Sequence, residues 1–372
     1  MRSSRENRVR LLLAVTACAL AGLVLLDQYH SSPAATNART EKSPAVGTTP
    51  ASTTPASTST GASPSSVATS FGATTSVIPT TSPPTTKPSP TTYAVATTDL
   101  SIQGHDLSGA PVALPTTVLY PQAATGTKRF GLVVFSPGFD IDPSVYLPLI
   151  STWAASGFVV AEVSYPDTLP SSPLVEYNMV NHPSELSQVI TDFVDGSPYV
   201  PASIASLVNP AEVAVAGQSD GGDVSVASAA AACCMDTRIK AAVILSGAEE
   251  TLYGDSYFSR GSPPILVVQG GADTVNLPAC SEQIYDEAPQ PRFYLAIPSA
   301  THLSAYSAPV GPELLVTRSV TVAFLEKYLD GTAVTSSQLD ALASSQGSVA
   351  SLVSGAAIVP LVGSCPGAPP GS

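Results

Sequence analysis

Basic residues are scarce in this sequence, where 15 lysines and arginines face 28 aspartates and glutamates for a net charge of −13. Four of the arginines and one glutamate lie in the first ten residues, which have the composition of a targeting segment. Without that segment the net charge becomes −16, because four positive charges and one negative charge are removed. Nucleic acid binding requires cationic side chains that neutralise phosphates, so the composition excludes nucleic acid as the expected partner.

Charged side chains of either sign make up only 12% of the 372 residues, whereas hydrophobic residues make up 44%. A chain of this length and composition has enough apolar side chains for one hydrophobic core or two. The composition therefore excludes a wholly disordered protein.

A clean cleavage site is missing after the amino-terminal apolar run. Residues 11–26 are apolar and follow the four arginines, a layout shared by secretory signals and by anchors whose arginines stay in the cytoplasm. Residues 27–30 (Asp-Gln-Tyr-His) stand where small residues would mark cleavage. We predict an uncleaved membrane anchor over residues 1–30, with a cleaved signal or a lipid attached at Cys18 as alternatives. The rest of the chain is therefore expected to be extracellular or on the cell surface.

Residues 31–96 consist almost entirely of Ser, Thr, Ala and Pro, with two consecutive Thr-Thr-Pro-Ala-Ser repeats at residues 48–52 and 53–57. Such a segment cannot bury enough apolar surface to fold, and its prolines favour extended chain. We predict a disordered linker, which is either a stalk that lifts a domain off the membrane or a plain exported spacer.

Cysteine is rare, and four of the five cysteines lie beyond the amino-terminal segment. Outside the cell these four can pair in three ways. We predict a disulfide between Cys280 and Cys365, which would attach the carboxyl-terminal tail, residues 333–372, to the domain. The adjacent Cys233 and Cys234 would then be free, buried or joined.

The chain changes character at about residue 97, where short apolar and β-branched runs begin to alternate with helical stretches. The predicted strands are 112–120, 132–135, 158–163, 212–216, 241–245, 265–268 and 293–297, and the predicted helices are 146–155, 183–194, 224–232 and 312–329. Strands that are apolar on both faces favour a mostly parallel sheet flanked by helices. We therefore predict one α/β domain over residues 97–332, without a large cap domain because the connection after residue 245 is short.

The segment Gly217-Gln218-Ser219-Asp220-Gly221 stands between a predicted strand and a predicted helix. Gly-x-Ser-x-Gly is a weak pattern alone, but a sharp strand-to-helix turn needs glycines at both outer positions to avoid clashes and to expose the serine hydroxyl. We predict Ser219 as a catalytic nucleophile, with a plain tight turn as the alternative. A serine hydroxyl is a poor nucleophile at neutral pH, so it needs an imidazole to accept its proton.

Histidine is scarce, and of the four in the chain only His302 follows Ser219. Because it stands just past the last predicted strand, we predict His302 as the base. A carboxylate must hold the imidazole in the correct tautomer, and it is expected between the serine and the histidine, after a strand. Asp273 follows the predicted strand 265–268 through a glycine turn and is the predicted acid. The fallback acids are Glu249, Glu250 and Asp255.

An acyl-transfer site also needs two N–H groups that stabilise the developing oxyanion. We predict the backbone N–H groups of Asp220, directly after the nucleophile, and of Phe139, where Gly138 lets the backbone approach a substrate. The charge of Asp220 would oppose the oxyanion unless the side chain points away or is paired, although the helix amino terminus offsets part of this effect. The residues predicted to contact substrate or line the cleft are Gly138, Phe139, Tyr146, Tyr165, Gln218 and Tyr306.

Together these motifs resemble the α/β-hydrolases of the dienelactone hydrolase, platelet-activating-factor acetylhydrolase and cutinase-like (polyester hydrolase) group of bacterial secreted esterases. The resemblance spans about residues 100–330 and is carried by residues 135–139, 156–160, 217–222, 271–273 and 300–302. It implies an α/β-hydrolase fold and a serine esterase mechanism. Gln218 and Asp220 replace the His or Trp and the Met that bacterial cutinase-like enzymes usually carry beside the serine, a difference that bears on the substrate.

The leading hypothesis is hydrolysis of a carboxylic ester, in which Ser219 attacks the acyl carbon, His302 relays the proton and Asp273 orients His302. The expected substrate is a small-molecule, lipid or polyester ester. The expected state is a monomer that contacts the membrane only through its amino-terminal segment, and the chemistry requires no metal or other cofactor. The alternatives are an amidase, peptidase or acyltransferase with the same triad, or a surface-displayed binding protein with a silent site.

Overall fold

The structure is a computed structural model that describes residues 92–122, 128–358 and 365. These residues form one nine-stranded sheet with helices on both faces. The strands are β1 (Val95–His105), β2 (Pro111–Pro121), β3 (Phe130–Ser136), β4 (Phe158–Val163), β5 (Val208–Gln218), β6 (Ile239–Leu245), β7 (Ile265–Gly270), β8 (Arg292–Ile297) and β9 (Ser351–Ser354). The α-helices are α1 (Leu147–Ser156), α2 (His182–Val194), α3 (Ala202–Ala205), α4 (Asp220–Ala230), α5 (Pro278–Glu287), α6 (Pro312–Tyr328) and α7 (Ser336–Ala343).

Six parallel strands form the centre of the sheet, in the order β4-β3-β5-β6-β7-β8. On one side β2 pairs antiparallel with β4 and β1 pairs antiparallel with β2, while on the other side β9 pairs antiparallel with β8. The predicted mostly parallel α/β sheet is confirmed. Because the carboxyl ends of parallel strands meet at one edge, the loops that follow them can bring together side chains from distant parts of the sequence.

Both faces of the central strands are buried. Every residue of β3 is buried, and its alternate side chains enter two different cores. Leu132 and Val134 belong to the core that also contains side chains of α2, α4 and α5, whereas Val133 and Phe135 belong to the core that contains side chains of α1 and α6. This alternation follows from the pleat of a strand, whose successive side chains point to opposite faces. The continuous apolar runs in the sequence therefore reflect strands that are covered by helices on both sides.

The outer strands of the sheet were not predicted. In β1 only Ile102 and Gly104 are buried, and in β9 no residue is fully buried. Neither segment therefore has the apolar run by which the central strands are recognised. Helix α7 packs on α6, and β9 extends the sheet, so the predicted tail from residue 333 contributes two elements to this fold.

Helices α5 and α7 were also missed, although each begins with a recognisable signal. Pro278 occupies the first turn of α5, a position where proline costs no hydrogen bond. Thr335 and Gln338 form a capping box at the start of α7, in which each side chain accepts a hydrogen bond from the backbone N–H of the other residue. Local capping signals could therefore have found both helices.

Two disulfides are present among the residues that the structure describes. Cys280 of α5 is joined to Cys365, as predicted. The adjacent pair, Cys233 and Cys234, which the sequence left open, is also joined. All four cysteines beyond the amino-terminal segment are therefore paired.

Removing the bridge between Cys280 and Cys365 is expected to lower the free energy of unfolding by about 2 to 4 kcal/mol. The bridge joins residues 85 positions apart and so restricts a long loop of the unfolded chain. Urea unfolding of the double variant Cys280→Ser/Cys365→Ser checks this. The double variant Cys233→Ser/Cys234→Ser is the control, because adjacent cysteines close no long loop and should contribute much less. Equal losses in both variants would contradict the chain-entropy explanation.

The predicted anchor lies outside the described residues, as does the predicted linker up to residue 91. The linker prediction ends close to the start of β1 at Val95. Of the helices in the described ranges, none is both long enough and apolar enough to cross a membrane. Export and anchoring stay predictions.

Candidate active site

Ser219 occupies a sharp turn between the central strand β5 and helix α4, with a φ angle of 56° and a ψ angle of −128°. A positive φ is unfavourable for residues other than glycine. The turn is held by the Ser219 N–H, which donates to the carbonyl of Leu245 at 3.0 Å. A Cβ atom at Gly217 would overlap the carbonyl of Gly221, and one at Gly221 would overlap the carbonyl of Ser136. Both glycines of the motif are therefore required by the close packing of this turn.

His302 lies in the loop after β8, with its ring between Ser219 and Asp273. Its Nε2 is 3.0 Å from Ser219 Oγ, and its Nδ1 is 2.8 Å from Asp273 Oδ2. A carboxylate at Nδ1 favours the tautomer with the proton on Nδ1, which leaves Nε2 able to accept a proton from the serine. The structure thus brings together the three predicted side chains from loops after β5, β7 and β8. Three fallback acids make no hydrogen bond or ion pair with His302 in the described chain: Glu249, Glu250 and Asp255.

The carboxylate of Asp273 is buried and surrounded by hydrogen-bond donors. Its Oδ1 accepts from the backbone N–H groups of Val275 at 2.9 Å and Asn276 at 3.1 Å. Burial acts to raise the pKa of Asp273, but the hydrogen bond and charge of His302 and the N–H of Val275 outweigh it and hold the pKa below its ordinary value. Asp273 is therefore ionised at neutral pH, which suits a group that orients an imidazole.

Two side chains that support Asp273 were missed by sequence reasoning. Gln269 at the end of β7 donates to Asp273 Oδ2 at 3.2 Å, and its own Oε1 accepts from the hydroxyl of Ser281 at 2.6 Å. Asn276 donates through Nδ2 to the carbonyl of Ser246 at 2.6 Å and so ties the acid loop to the end of β6. A polar residue closing an apolar strand was the available signal for Gln269, whereas nothing in the sequence marked Asn276.

The two predicted oxyanion donors lie on segments that adjoin Ser219. Asp220 is the first residue of α4, and the first N–H groups of a helix have no carbonyl partner within it. Phe139 is partly exposed and follows Gly138, whose backbone packs directly against the nucleophile. A Cβ atom at Gly138 would lie 3.1 Å from Ser219 Cβ. A larger residue there would therefore crowd the nucleophile, as expected for a loop that must come close to a substrate.

The carboxyl group of Asp220 lies beside the nucleophile in an acidic environment. Burial, followed by the charges of Glu176 and Glu250, raises the pKa of Asp220 to about 7. Its Oδ2 is buried without a hydrogen-bond partner, and its own backbone N–H interacts with the carboxyl group. The ionised side chain therefore places a negative charge near the predicted oxyanion and competes for one of the two predicted donors.

We expect Asp220→Asn to raise kcat/KM for a neutral ester about threefold to tenfold at pH 8 and to change it little at pH 6. Since the pKa of Asp220 is about 7, the native side chain is mostly neutral at pH 6 and mostly charged at pH 8, whereas asparagine is neutral at both. The pH–rate profiles of the two enzymes check this prediction.

Glu176→Gln serves as the comparison for that experiment, because it removes a neighbouring charge but keeps Asp220. Because Glu176 raises the pKa of Asp220, the Glu176→Gln variant should have a lower Asp220 pKa. Its rate should therefore begin to fall behind the Asp220→Asn rate at a lower pH than the native rate does. The folded-state pKa of Asp220 lies above its ordinary value, so the carboxyl destabilises the fold increasingly as pH rises towards about 7. Asp220→Asn should accordingly raise Tm at pH 8. A rate ratio that is the same at pH 6 and pH 8 would contradict the assigned effect of this charge.

Two residues that we predicted to line the cleft are instead packed beneath it. The Tyr165 ring stacks on His182 with ring centres 3.8 Å apart, and its hydroxyl lies 3.0 Å from Ser136 Oγ. The hydroxyl of Tyr306 donates to the carbonyl of Val268 at 2.8 Å. Both tyrosines are almost completely buried, so the prediction that they contact substrate is wrong. The composition of a loop does not reveal whether its aromatic side chains face the cleft or the core.

Tyr146 and Gln218 are also fully buried, and the Tyr146 hydroxyl donates to Gln218 Oε1 at 2.6 Å. Their predicted roles as cleft-lining or substrate-binding residues are corrected in the same way. Gly138 and Phe139 adjoin Ser219, and their contact with substrate stays a prediction. Within the described ranges, no three His, Cys, Asp or Glu side chains are arranged to hold a metal ion.

Fold and site together define the class of the protein. A mostly parallel sheet whose central strand ends in a serine on a sharp turn before a helix is the arrangement of the α/β-hydrolases. Residues 78–349 match the family described as PETase, PET hydrolase-like, and the chain belongs to this family. The predicted resemblance to the polyester hydrolase and cutinase-like group is confirmed, and ester hydrolysis is the activity that the family supports. No curated protein matches the chain.

Proposed function

We propose that the protein hydrolyses carboxylic esters through an acyl-enzyme intermediate, with Ser219 as nucleophile, His302 as base and Asp273 as the acid that orients it. The observation that carries the proposal is the continuous contact from Asp273 through His302 to Ser219, with spacings of 2.8 and 3.0 Å. Ser219 is 6% exposed and the His302 side chain 14% exposed, so both can be reached from the cleft while most water is kept away.

The arrangement supports a two-step reaction. In the first step Ser219 Oγ attacks the acyl carbon while His302 Nε2 takes its proton, and the resulting imidazolium then protonates the departing alkoxide. In the second step His302 removes a proton from water, which attacks the acyl carbon, and the imidazolium then returns that proton to Ser219 Oγ as the carboxylic acid leaves. The backbone N–H groups of Phe139 and Asp220 are the proposed donors to the oxyanion in both steps.

We propose a neutral, apolar ester as substrate, either a small molecule or a polyester segment. The connection between β6 and β7 holds only a short 3-10 helix, Thr251–Tyr253, so the cleft has no large cap on that side. Exposed apolar side chains lie on the segments that follow the carboxyl ends of β3, β4, β7 and β8, which is the edge of the sheet that carries the candidate site. They are Leu147, Leu174, Val175, Tyr177, Val275, Leu277 and Val310. An apolar rim favours apolar substrates over strongly hydrated ones.

Steady-state hydrolysis of a short-chain and a long-chain nitrophenyl ester, beside the matching nitroanilides, tests this proposal. We expect turnover of the esters, an initial burst of nitrophenol if deacylation is the slower step, and much slower cleavage of the anilides. Preferred cleavage of the anilides would point to an amidase. No turnover of any ester by a folded protein would refute the proposal and favour a binding protein with a silent site.

We also propose that the protein acts outside the cytoplasm, after export by its amino-terminal segment. The paired cysteines support this, because disulfides persist in oxidising compartments. Fractionation of cells that produce the full-length chain tests it. Recovery of the protein in the cytoplasm, with titratable thiols at the four cysteines, would refute it.

A further inference from the structure

The side chain of Gln218 connects three loops that meet at the candidate site. Its Nε2 donates to the backbone carbonyl of His302 at 2.9 Å, and its Oε1 accepts from the hydroxyl of Tyr146 at 2.6 Å. That hydroxyl in turn accepts from the N–H of Gly138 at 3.3 Å. A single line of hydrogen bonds therefore runs from Gly138, in the loop after β3 that we call the oxyanion loop, through Tyr146 and Gln218 to the loop that carries His302.

Gln218 and Tyr146 form a hydrogen-bonded pair that is fully shielded from water. Gln218 and Tyr146 have no exposed surface, so each hydrogen bond that they lose leaves a polar group unpaired in the protein interior. Burial also raises the pKa of Tyr146 above its ordinary value, which keeps the phenol protonated and able to donate. The Tyr146 ring is held in turn by Phe135, with ring centres 5.0 Å apart. The pair is therefore fixed in one orientation.

The orientation of the Gln218 amide has a chemical consequence for His302. Because Oε1 is directed at the Tyr146 hydroxyl, the NH2 group faces the imidazole, and its nitrogen lies 3.2 Å from His302 Nε2. An amide NH2 group donates but does not accept hydrogen bonds. When His302 is neutral, this group can donate to Nε2 beside the Ser219 hydroxyl, and when His302 is protonated, it offers no acceptor that would draw the Nε2 proton away from Ser219 or the leaving group.

We propose that Gln218 and Tyr146 are positioning residues of the ester hydrolysis. They hold the loop that carries His302 and the loop that carries Gly138 in fixed positions relative to Ser219. Proton transfer and oxyanion stabilisation can then occur in the same arrangement of the site. The inference rests on the proposed function. Neither residue is proposed to touch the substrate, since both act through His302 and the backbone of Gly138.

Tyr146→Phe is the sharpest test, because it removes one hydroxyl and keeps the ring. We expect kcat for a nitrophenyl ester to fall about tenfold to a hundredfold while KM stays within about twofold. Gln218→Leu should have a similar effect, and the double variant should lose little more than the worse single variant, because the two residues act as one unit. Thermal unfolding of the full-length variants establishes that each is folded.

Tyr285→Phe is the matched control. Tyr285 is fully buried, and its hydroxyl donates to the carbonyl of Ala356 at 2.7 Å, away from the three loops. Tyr285→Phe likewise removes one tyrosine hydroxyl and its hydrogen bond, which here is partly buried, and it should leave kcat unchanged. Equal losses of kcat in Tyr146→Phe and Tyr285→Phe would overturn the inference, because a general loss of stability would then explain both.

Gln218→Glu tests the pH dependence of kcat/KM, which should not change if Gln218 only stabilises the fold. It keeps the shape of the side chain but offers a carboxylate acceptor beside His302 Nε2, where the amide offers a donor. We expect the low-pH limb of the kcat/KM profile to move to higher pH by about one unit. An unshifted profile, full activity in Tyr146→Phe, or independent losses in the double variant would overturn the inference.

These experiments distinguish a failure of the positioning role from a failure of the proposed ester hydrolysis. If the wild-type protein shows no Ser219-dependent ester turnover, the proposed function fails and the positioning role fails with it. If wild-type turnover depends on Ser219 and the Tyr146 and Gln218 variants match it, only the positioning role fails.

Discussion

Ser219→Ala is expected to lower kcat for a nitrophenyl ester by about 10⁴- to 10⁶-fold, with no loss of folding. The change removes the hydroxyl oxygen that lies 3.0 Å from His302 Nε2 and that we propose forms the acyl-enzyme. The turn itself tolerates alanine no worse than serine, since its backbone is held by the Ser219 N–H and by the flanking glycines. Stopped-flow and steady-state assays measure the loss, and residual catalysis would come from the oxyanion donors and substrate binding.

Ser228→Ala is the control for this experiment. Ser228 lies on α4, the helix that follows the Ser219 turn, and its buried hydroxyl has no hydrogen-bond partner in the described structure. Its loss should leave both kcat and Tm close to wild type. A phosphonate ester that labels serine nucleophiles adds a second readout, with an adduct expected on Ser219 in the wild type and in Ser228→Ala. Retention of more than about a tenth of the activity in Ser219→Ala would rule out Ser219 as the nucleophile.

Asp273→Asn is expected to lower kcat by about 10⁴-fold while the geometry of the site is kept. The carboxylate accepts from His302 Nδ1 at 2.8 Å and from two backbone N–H groups, and an amide cannot accept at both oxygen positions. The imidazole would then favour the wrong tautomer, with its proton on the nitrogen that should accept from Ser219. A steady-state comparison from pH 6 to pH 9 measures the loss.

The pKa of Asp273 lies below its ordinary value, so the wild-type carboxylate is charged across this pH range. For the same reason its contribution to stability is present above the ordinary aspartate pKa and disappears only as pH falls below it. Asp255→Asn is the control, because Asp255 is a fallback acid that makes no described contact with His302. Equal losses in both variants, or a large loss in Asp255→Asn alone, would contradict the assignment of Asp273.

The positions of the candidate site residues could be predicted because each depends on local features. Ser219 was found from two glycines between an apolar strand and a helix, and the structure shows that neither glycine can carry a side chain. His302 was found because no other histidine follows Ser219. Asp273 was found because it follows an apolar strand through a short turn. Strand ends on the parallel part of a sheet converge, so these local features were enough to bring the three side chains together.

The direction of side chains could not be predicted in the same way. Gln218 and Tyr146 were expected at the cleft, yet both are buried and hydrogen-bonded to each other. The partner that turns Gln218 inward is 72 positions away in the sequence, so no local pattern records the contact. Asn276 is a further case, because its role in tying the acid loop depends on the carbonyl of Ser246 in another loop.

By itself the sequence determined the alternation of buried strands and helices, the strand-turn-helix motif at Ser219 and the order of the three candidate catalytic residues, because these follow from apolar periodicity, glycine sterics and the scarcity of histidine. Only the tertiary structure decided which side chains face the cleft, how the outer strands β1 and β9 complete the sheet, and how Gln218 joins the base loop to the oxyanion loop. Those features arise from packing and hydrogen bonds between segments far apart in the chain, and such contacts leave no periodic or local signal in the sequence.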